Sequence, residues 1–243
     1  MPRKAPGSQN NESEEKQVNA RPAQASRRAS LATDDLVRLA LKACLIARDA
    51  AFNLRDLLTS SSRMAFLAIK DCEQELDQLE RQIDERMPEA ITRVNEARAR
   101  QLLSSLKSTT DLERIGDLLM SVALRFQART SRIPASDTRQ LVEMSSVLRE
   151  MLDLIHQGFS NLVLDCARKV LQMDKDIDRI CHGLFQKHLA ETVPQGDTSG
   201  FEILLMAQAL ERAGDHTTNL AEDLYSLIEG RSLRHVPKRK AAP

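Results

Sequence analysis

Apolar residues recur along most of this chain at intervals of three and four, the spacing that places them on one side of an α-helix. The pattern is clear where Leu36, Leu39 and Ala43 begin a stripe that continues to Leu58. Polar or proline-containing segments interrupt such stripes repeatedly, and the sequence therefore predicts six helices. Their predicted bounds are approximately residues 33–58, 62–88, 89–127, 137–161, 165–194 and 198–230.

Proline, aspartate and glycine mark the predicted helix ends. Pro88 and Pro194 should end the second and fifth helices, because a proline disfavours helical backbone in the residue before it. Asp137 and Asp165 are suitable N-caps, and Gly230 is a suitable C-cap. These boundaries leave no proline inside any predicted helix.

A short phrase occurs twice, as DLERIGD at 111–117 and ALERAGD at 209–215. A second acidic phrase lies upstream of each copy, EQELD at 73–77 and DKDID at 174–178. Duplication of one three-helix unit explains both matches, and we predict an all-α fold of two tandem antiparallel three-helix bundles. The predicted segments are a disordered tail over 1–32, bundles over 33–133 and 134–230, and a basic tail over 231–243.

Each copy of the repeated phrase carries a glycine within its apolar stripe. Gly116 and Gly214 occupy equivalent places. A glycine inside a helix destabilises it by about 1 kcal/mol relative to alanine. We therefore expect a neighbouring helix to approach closely at each glycine.

Composition narrows the class of protein. One Tyr, no Trp and eight Gly among 243 residues suit a helical fold. The net charge is zero, but the tails are basic and residues 33–230 carry a net charge of −8. An acidic body is a poor partner for nucleic acid and a better one for cations. The chain shows neither a membrane-length apolar run nor a secretion signal, which predicts a cytoplasmic protein with reduced cysteines.

The acidic residues of the repeated phrases fall in pairs spaced by four, so both members of each pair share one helix face. Glu113 and Asp117 lie 40° apart on a helical wheel of 100° per residue, as do Glu211 and Asp215, and Asn219 lies one turn further on. Grouped carboxylates repel one another unless a cation or an arginine neutralises them. Oxygen ligands favour hard ions, and the candidates are Fe, Mn, Mg and Zn, with Ca also compatible.

Other interpretations of these faces remain open at this point. The carboxylates can be solvated surface groups paired with nearby arginines, namely Arg81, Arg114, Arg179 and Arg212. They can also belong to a metal-dependent enzyme, or to a purely structural helical scaffold. No glutamate has a histidine three residues later, and no catalytic motif is visible, so we expect a protein that is not an enzyme.

The phrases at 111–117, 210–222 (LERAGDHTTNLAE) and 230–236 (GRSLRHV) together resemble the PhoU family, over roughly residues 34–237. The resemblance implies two three-helix bundles whose E-x-x-x-D motifs form multinuclear metal sites. In the second repeat it implies Glu211, Asp215 and Asn219 as ligands, with Asp174 and Asp178 facing them.

In the first repeat Glu113 and Asp117 match the family motif, and Glu73 and Asp77 match it less strictly. Leu118 stands where the family often has His, and Ser121 where it has Asn. The expectation of metal binding therefore rests mainly on the second repeat.

The resemblance also implies a function. It implies a cytoplasmic regulator that represses the phosphate-starvation response, through the ATPase subunit of the phosphate ABC transporter and a phosphate-sensing histidine kinase. Such a protein would reach the membrane only through its partners. Self-association is frequent in the family, and we expect a homodimer.

Overall fold

The computed structural model describes residues 11–129, 132–190 and 199–230, without the side chains of 11–30 and 32. The described chain is entirely helical, as predicted, and contains no strand. Its helices are α1 (Asn11–Ser60), α2 (Arg63–Ile91), α3 (Glu96–Ala128), α4 (Ala135–Asn161), α5 (Leu164–Ala190) and α6 (Ser199–Glu229).

The helices form two bundles that share one core. α1, α2 and α3 pack on one another, as do α4, α5 and α6, which is the predicted architecture. The bundles then join along α1 with α4 and along α3 with α6. At the first junction, Ser145 Oγ donates to the backbone oxygen of Ala51 at 2.8 Å. One continuous apolar core draws buried residues from all six helices.

The first helix is longer than the sequence pattern predicted. It begins at Asn11, so the disorder predicted for residues 1–32 is not found over 11–32. Glu, Lys, Gln, Ala and Arg are frequent in this segment and have good helix propensity. Extending a helix already nucleated by its packed part is far easier than starting one. Residues 1–10 and the predicted basic tail at 231–243 lie outside the described residues.

The boundary predicted at Pro88 is wrong. α2 continues through Pro88 to Ile91, and α3 begins at Glu96 rather than near Glu89, with Asn95 as its N-cap. The reason is tertiary packing. Residues on both sides of the proline are buried in a small separate cluster, which consists of Leu36, Ala40, Ile83, Met87, Ala90 and Leu102.

Two other helix ends behave as predicted. Ser62 caps α2, and its side chain accepts a hydrogen bond from the Ala65 backbone N–H at 3.2 Å. Gly230 ends α6 with a φ of +71°, a left-handed conformation that glycine adopts without strain. Pro194 lies outside the described residues.

The two aspartates predicted as N-caps have other positions. The cap of α4 is Pro134, while Asp137 is fully buried and accepts hydrogen bonds from Lys187 Nζ at 2.5 Å and His188 Nε2 at 3.1 Å. Asp165 lies in the first turn of α5. Asp137 thus ties the start of α4 to the end of α5, a contact that a local capping pattern could not reveal.

All four cysteines are free thiols, as predicted, and burial raises the pKa of the Cys44 thiol to about 12.

None of the helices in the described ranges has an apolar stretch long enough to cross a membrane.

Candidate metal centre

The first acidic cluster consists of Glu73 and Asp77 on α2 with Glu113 and Asp117 on α3. One carboxylate oxygen from each of Glu73, Asp77 and Asp117 lies within 4.8 Å of the other two. The spacing of four places each pair on one helix face, and antiparallel packing of α2 on α3 sets the pairs against each other. The structure thus groups these carboxylates, although the family motif is weaker in this repeat.

Gly116 permits the close approach of α2 to α3. A Cβ atom on Gly116 would lie 2.6 Å from Leu76 Cδ1 and 3.8 Å from the Glu73 Cα. Real Cβ atoms do not approach another heavy atom to 2.6 Å, so only glycine fits without movement of Leu76. The close approach predicted from the position of this glycine is therefore confirmed.

Burial and mutual repulsion both act on the first acidic cluster. The pKa of Glu113 is raised, first by burial and then by the charge of Asp117, with Glu80 and Asp77 adding to the effect. The pKa of Glu73 is raised in the same way, by burial and then by Asp77 and Asp117. Both shifts mean that the ionised forms are disfavoured, and a bound cation would relieve that cost.

Two arginines lie beside the cluster, as the alternative interpretation predicted. Arg81 pairs with Asp77 at 3.2 Å, and Arg114 lies 3.5 Å from Glu113 and 3.8 Å from Asp117. Both arginine side chains are more than half exposed. Exposed pairs of this kind contribute about 0–1 kcal/mol. They therefore offset the repulsion only in part.

The donor set of the first acidic cluster suits a hard cation. Opposite oxygens on one ion are separated by about 4.2 Å around Mg²⁺ and by about 5 Å around Ca²⁺. The three carboxylate oxygens lie within 4.8 Å of one another, so small side-chain rotations can bring them to these separations. The buried Oε2 of Glu113, which accepts no hydrogen bond from the described residues, is an adjacent fourth donor.

The second acidic cluster consists of Asp174 and Asp178 on α5 with Glu211 and Asp215 on α6. Burial raises the pKa of Glu211, and the charges of Asp215 and Asp178 raise it further. Among the described residues, however, no three carboxylates of this cluster have oxygens within 4.8 Å of one another. The carboxylates of the second repeat, which the sequence favoured as the metal site, are therefore more widely spaced than those of the first.

Gly214 has the same position as Gly116, and an acidic side chain joins the apolar one that lies over it. A Cβ atom on Gly214 would lie 3.0 Å from Asp174 Oδ1 and 3.2 Å from Ile177 Cδ1. A carboxylate oxygen and an isoleucine methyl thus both lie over this glycine, whereas a leucine methyl is the nearest group over Gly116. Close approach of the neighbouring helix is confirmed here as well.

Asn219, predicted as a ligand of the second site, contacts the other bundle. Its Nδ2 donates to Asp111 Oδ1 at 3.3 Å, and His216 Nδ1 lies 2.8 Å from the same oxygen. An advance of eight residues rotates a side chain by 80° from Glu211, which is enough to turn it from α5 toward α3. Sequence reasoning missed this contact, although Asp111 opens the first repeated phrase.

The fold and these clusters define a class of protein: an all-α tandem bundle that presents carboxylates on helix faces. A family model described as the PhoU domain matches residues 40–126 and again 141–224, one match in each bundle. The chain therefore belongs to the PhoU family, and the predicted resemblance is confirmed.

Two curated relatives cover most of the chain. A protein from Rhizobium meliloti, named as a phosphate-specific transport system accessory protein PhoU homolog, is 32% identical over 189 residues, which are 74% of this chain and 78% of the relative. A protein of the same name from Pseudomonas aeruginosa is 30% identical over 179 residues, 69% of this chain and 72% of the relative.

Two crystal structures share the fold. PhoU from Pseudomonas aeruginosa has a TM-score of 0.73 at 23% identity, over 83% of this chain and 99% of that one. The phosphate transport system regulatory protein PhoU from Streptococcus pneumoniae has a TM-score of 0.75 at 21% identity, over 84% of this chain and 99% of that one.

Proposed function

We propose that this protein is a regulatory accessory protein of phosphate uptake, which represses the phosphate-starvation response when phosphate is plentiful. The observation that carries the proposal is the match of both bundles to the PhoU domain. The relatives' names support it, since they describe accessory proteins of phosphate-specific transport systems. The protein acts by binding partners in the cytoplasm and has no catalytic role.

The partners in this proposal are the ATPase subunit of the phosphate ABC transporter and the phosphate-sensing histidine kinase, with a homodimer as the acting form. The shared core supports an adaptor role, because it fixes the two bundles against each other. A rigid scaffold of that kind presents helix faces to partners with little loss of conformational entropy on binding.

The proposal includes a hard cation held by the first acidic cluster. Glu73, Asp77 and Asp117 would supply the oxygens, with Glu113 adjacent. The ion would neutralise the repulsion that raises the pKa values of the two glutamates. It would also join α2 to α3 at Gly116, where the helices approach closely. The ion's contribution in this proposal is therefore structural, since it holds α2 against α3.

Deletion of the gene in its source organism tests the regulatory role. Alkaline phosphatase activity is measured in phosphate-rich medium, in the deletion strain and after restoration of the gene. We expect high activity on deletion and low activity on restoration. Unchanged activity on deletion would contradict the proposed repression.

Restoration with a variant then tests the metal separately. Asp77→Asn/Asp117→Asn removes two charges from the first acidic cluster and should restore repression only partly. The matched control is Asp165→Asn/Asp176→Asn on α5, two exposed aspartates outside both clusters that pair with Lys169 and Arg179. Full repression by the first variant would contradict a metal requirement while leaving the regulatory role intact.

A further inference from the structure

A concave pocket lies where α1 ends, α3 ends and α4 begins, and neither acidic cluster contributes to its lining. Its volume is about 910 Å³, within the range of about 300–1,000 Å³ that small-molecule sites occupy. Three arginines from different segments line it: Arg129 after α3, Arg132 in the connection between the bundles, and Arg139 on α4. We call it the arginine pocket.

None of the three arginines has an acidic partner among the described residues. Every ion pair found over those ranges involves other cations. Burial lowers the pKa of Arg129, and no carboxylate acts to raise it. Three cations that share one concavity without a counter-charge are unfavourable in the free protein, and an anion would remove that cost.

Arg129 is held in place at the wall of the pocket. Its Nη1 donates to the backbone oxygen of Phe126, and its Cζ lies 3.4 Å from the centre of the Phe126 ring. The guanidinium thus both caps the end of α3 and stacks on a buried aromatic ring. A fixed guanidinium loses little further entropy when it binds an anion.

The rest of the pocket complements the arginines. The apolar wall consists of Leu58, Phe126, Ile133 and Val142. Hydroxyl donors are available from Ser61 and Thr138, whereas Thr59 already donates to the backbone oxygen of Arg55 at 2.8 Å. The acidic residue nearest in sequence to this wall, Asp137, is fully buried and paired with Lys187 and His188, so it does not compete for the arginines.

We propose that the arginine pocket binds a small soluble anion that carries phosphoryl groups. Guanidinium forks match phosphoryl oxygens in bidentate geometry, and three of them suit an anion of charge −2 or more. A nucleic acid fits less well, because three cations neutralise few phosphates and the surrounding body has a net charge of −8. The assignment goes beyond the proposed regulatory function and does not rest on it.

Calorimetry with sodium tripolyphosphate tests the proposal on the full chain at about 0.15 M salt, where screening suppresses weak surface attraction. Tripolyphosphate should bind at one site. Arg132→Ala and Arg139→Ala should each weaken binding by about tenfold or more, as expected for loss of a charge-assisted pair. Arg139→Lys should lose several-fold because lysine lacks the bidentate fork.

The matched control is Arg168→Ala, an exposed arginine on α5 that has no ion pair among the described residues and lies outside the pocket. It should bind like the parent chain, and so should Asp77→Asn/Asp117→Asn, which excludes binding through a metal. Circular dichroism verifies that each variant is folded.

Three outcomes would overturn the assignment: no binding of tripolyphosphate, equal weakening by Arg168→Ala, or loss of binding in the carboxylate variant. A vesicle arm distinguishes a lipid headgroup from a soluble anion. Binding to phosphatidylglycerol vesicles through the same arginines, without binding of tripolyphosphate, would also overturn it.

Discussion

The two acidic clusters arise from one repeated unit, yet they differ in compactness. In the first, oxygens of Glu73, Asp77 and Asp117 lie within 4.8 Å of one another. In the second, Asp174 lies over Gly214, and Asn219 is hydrogen-bonded to the opposite bundle. A match of motif between two repeats therefore does not imply a match of donor geometry.

The contacts around the two glycines differ in their distances and in the groups that they include. Leu76 fills the space over Gly116, so the apolar core occupies the contact and the carboxylates stay together at its edge. Over Gly214, Ile177 stands in the place of Leu76 at the longer distance of 3.2 Å, and a carboxylate oxygen of Asp174 lies there as well, at 3.0 Å. Meanwhile His216 and Asn219 join α6 to α3 through Asp111. The second repeat thus has a histidine and an asparagine that contact the other bundle, where the first repeat has Leu118 and Ser121.

The largest expected effect is a difference in Mn²⁺ affinity between variants of the two clusters. Asp77→Asn/Asp117→Asn should weaken Mn²⁺ binding by about 100-fold, or about 2.7 kcal/mol, because it removes two of three converging charges. Asp178→Asn/Asp215→Asn in the second cluster should weaken it by less than about tenfold. Free Mn²⁺, measured by electron paramagnetic resonance, gives both affinities. The reverse order would restore the second repeat as the principal site, as the sequence motif predicted.

A smaller effect should distinguish the two glycines. Gly116→Ala forces a Cβ against Leu76, and overpacking of this kind costs about 1–3 kcal/mol, less about 1 kcal/mol of helix propensity gained. Gly214→Ala brings a Cβ to 3.0 Å from Asp174 Oδ1 and 3.2 Å from Ile177 Cδ1, contacts that a shift of a few tenths of an ångström relieves, so it should destabilise the protein less than Gly116→Ala does. Urea unfolding measures both. Equal destabilisation by the two substitutions would contradict the difference in packing.

Asn219 offers a third comparison, between a ligand and a packing residue. Asn219→Ala should lower the free energy of unfolding by about 1 kcal/mol through loss of the hydrogen bond to Asp111, and should leave Mn²⁺ affinity unchanged. A double-mutant cycle with Asp111→Ala should show coupling between the two sites. Asn161→Ala, at an exposed amide that bonds only within α4, is the control and should show none. If Asn219→Ala lowers the Mn²⁺ affinity and shows no coupling with Asp111→Ala, Asn219 is a metal ligand and not a packing residue.

Periodicity predicted the parts of the fold that depend on local signals. The six helices, the duplicated bundles, the start of α2 near Ser62, the Gly230 cap and the close approach at Gly116 all follow from residues near one another in sequence. The misses depend on distant contacts. Pro88 stays inside α2 because Leu36 and Leu102 pack around the end of that helix, and no local signal records those contacts.

The same distinction applies to the candidate site. The spacing of four predicted which carboxylates share a face, but not how far apart two facing helices hold them. The hydrogen bond of the predicted ligand Asn219 to Asp111, 108 residues away, could not be predicted from spacing. The relative orientation of the two bundles decides that contact, and a repeat within one bundle carries no information about it.

The smallest expected effect is a pH dependence that the acidic clusters impose on the metal-free protein. The pKa values of Glu73, Glu113 and Glu211 are raised above their ordinary value of 4.5, mainly by burial and then by neighbouring carboxylates. The folded protein therefore holds these protons more tightly than the unfolded chain does. Its stability should fall as pH rises from about 4.5 through the raised values, since the folded state binds more protons over that range.

Removing one such charge should flatten this dependence. Glu113→Gln should lower the slope of unfolding free energy against pH just above 4.5, whereas Glu85→Gln, at an exposed position on α2, should follow the parent chain. Other groups affect the pH dependence in the opposite direction; Asp35 is one, because pairing with Arg86 lowers its pKa. Their contributions are the same in the parent and the variant, so they cancel when the two slopes are compared. Saturating Mn²⁺ should reduce the slope of the parent chain and have less effect on the variant. A slope insensitive to both Glu113→Gln and Mn²⁺ would mean that repulsion in the first acidic cluster is already screened by Arg81, Arg114 and water, and that no ion is needed to hold α2 against α3.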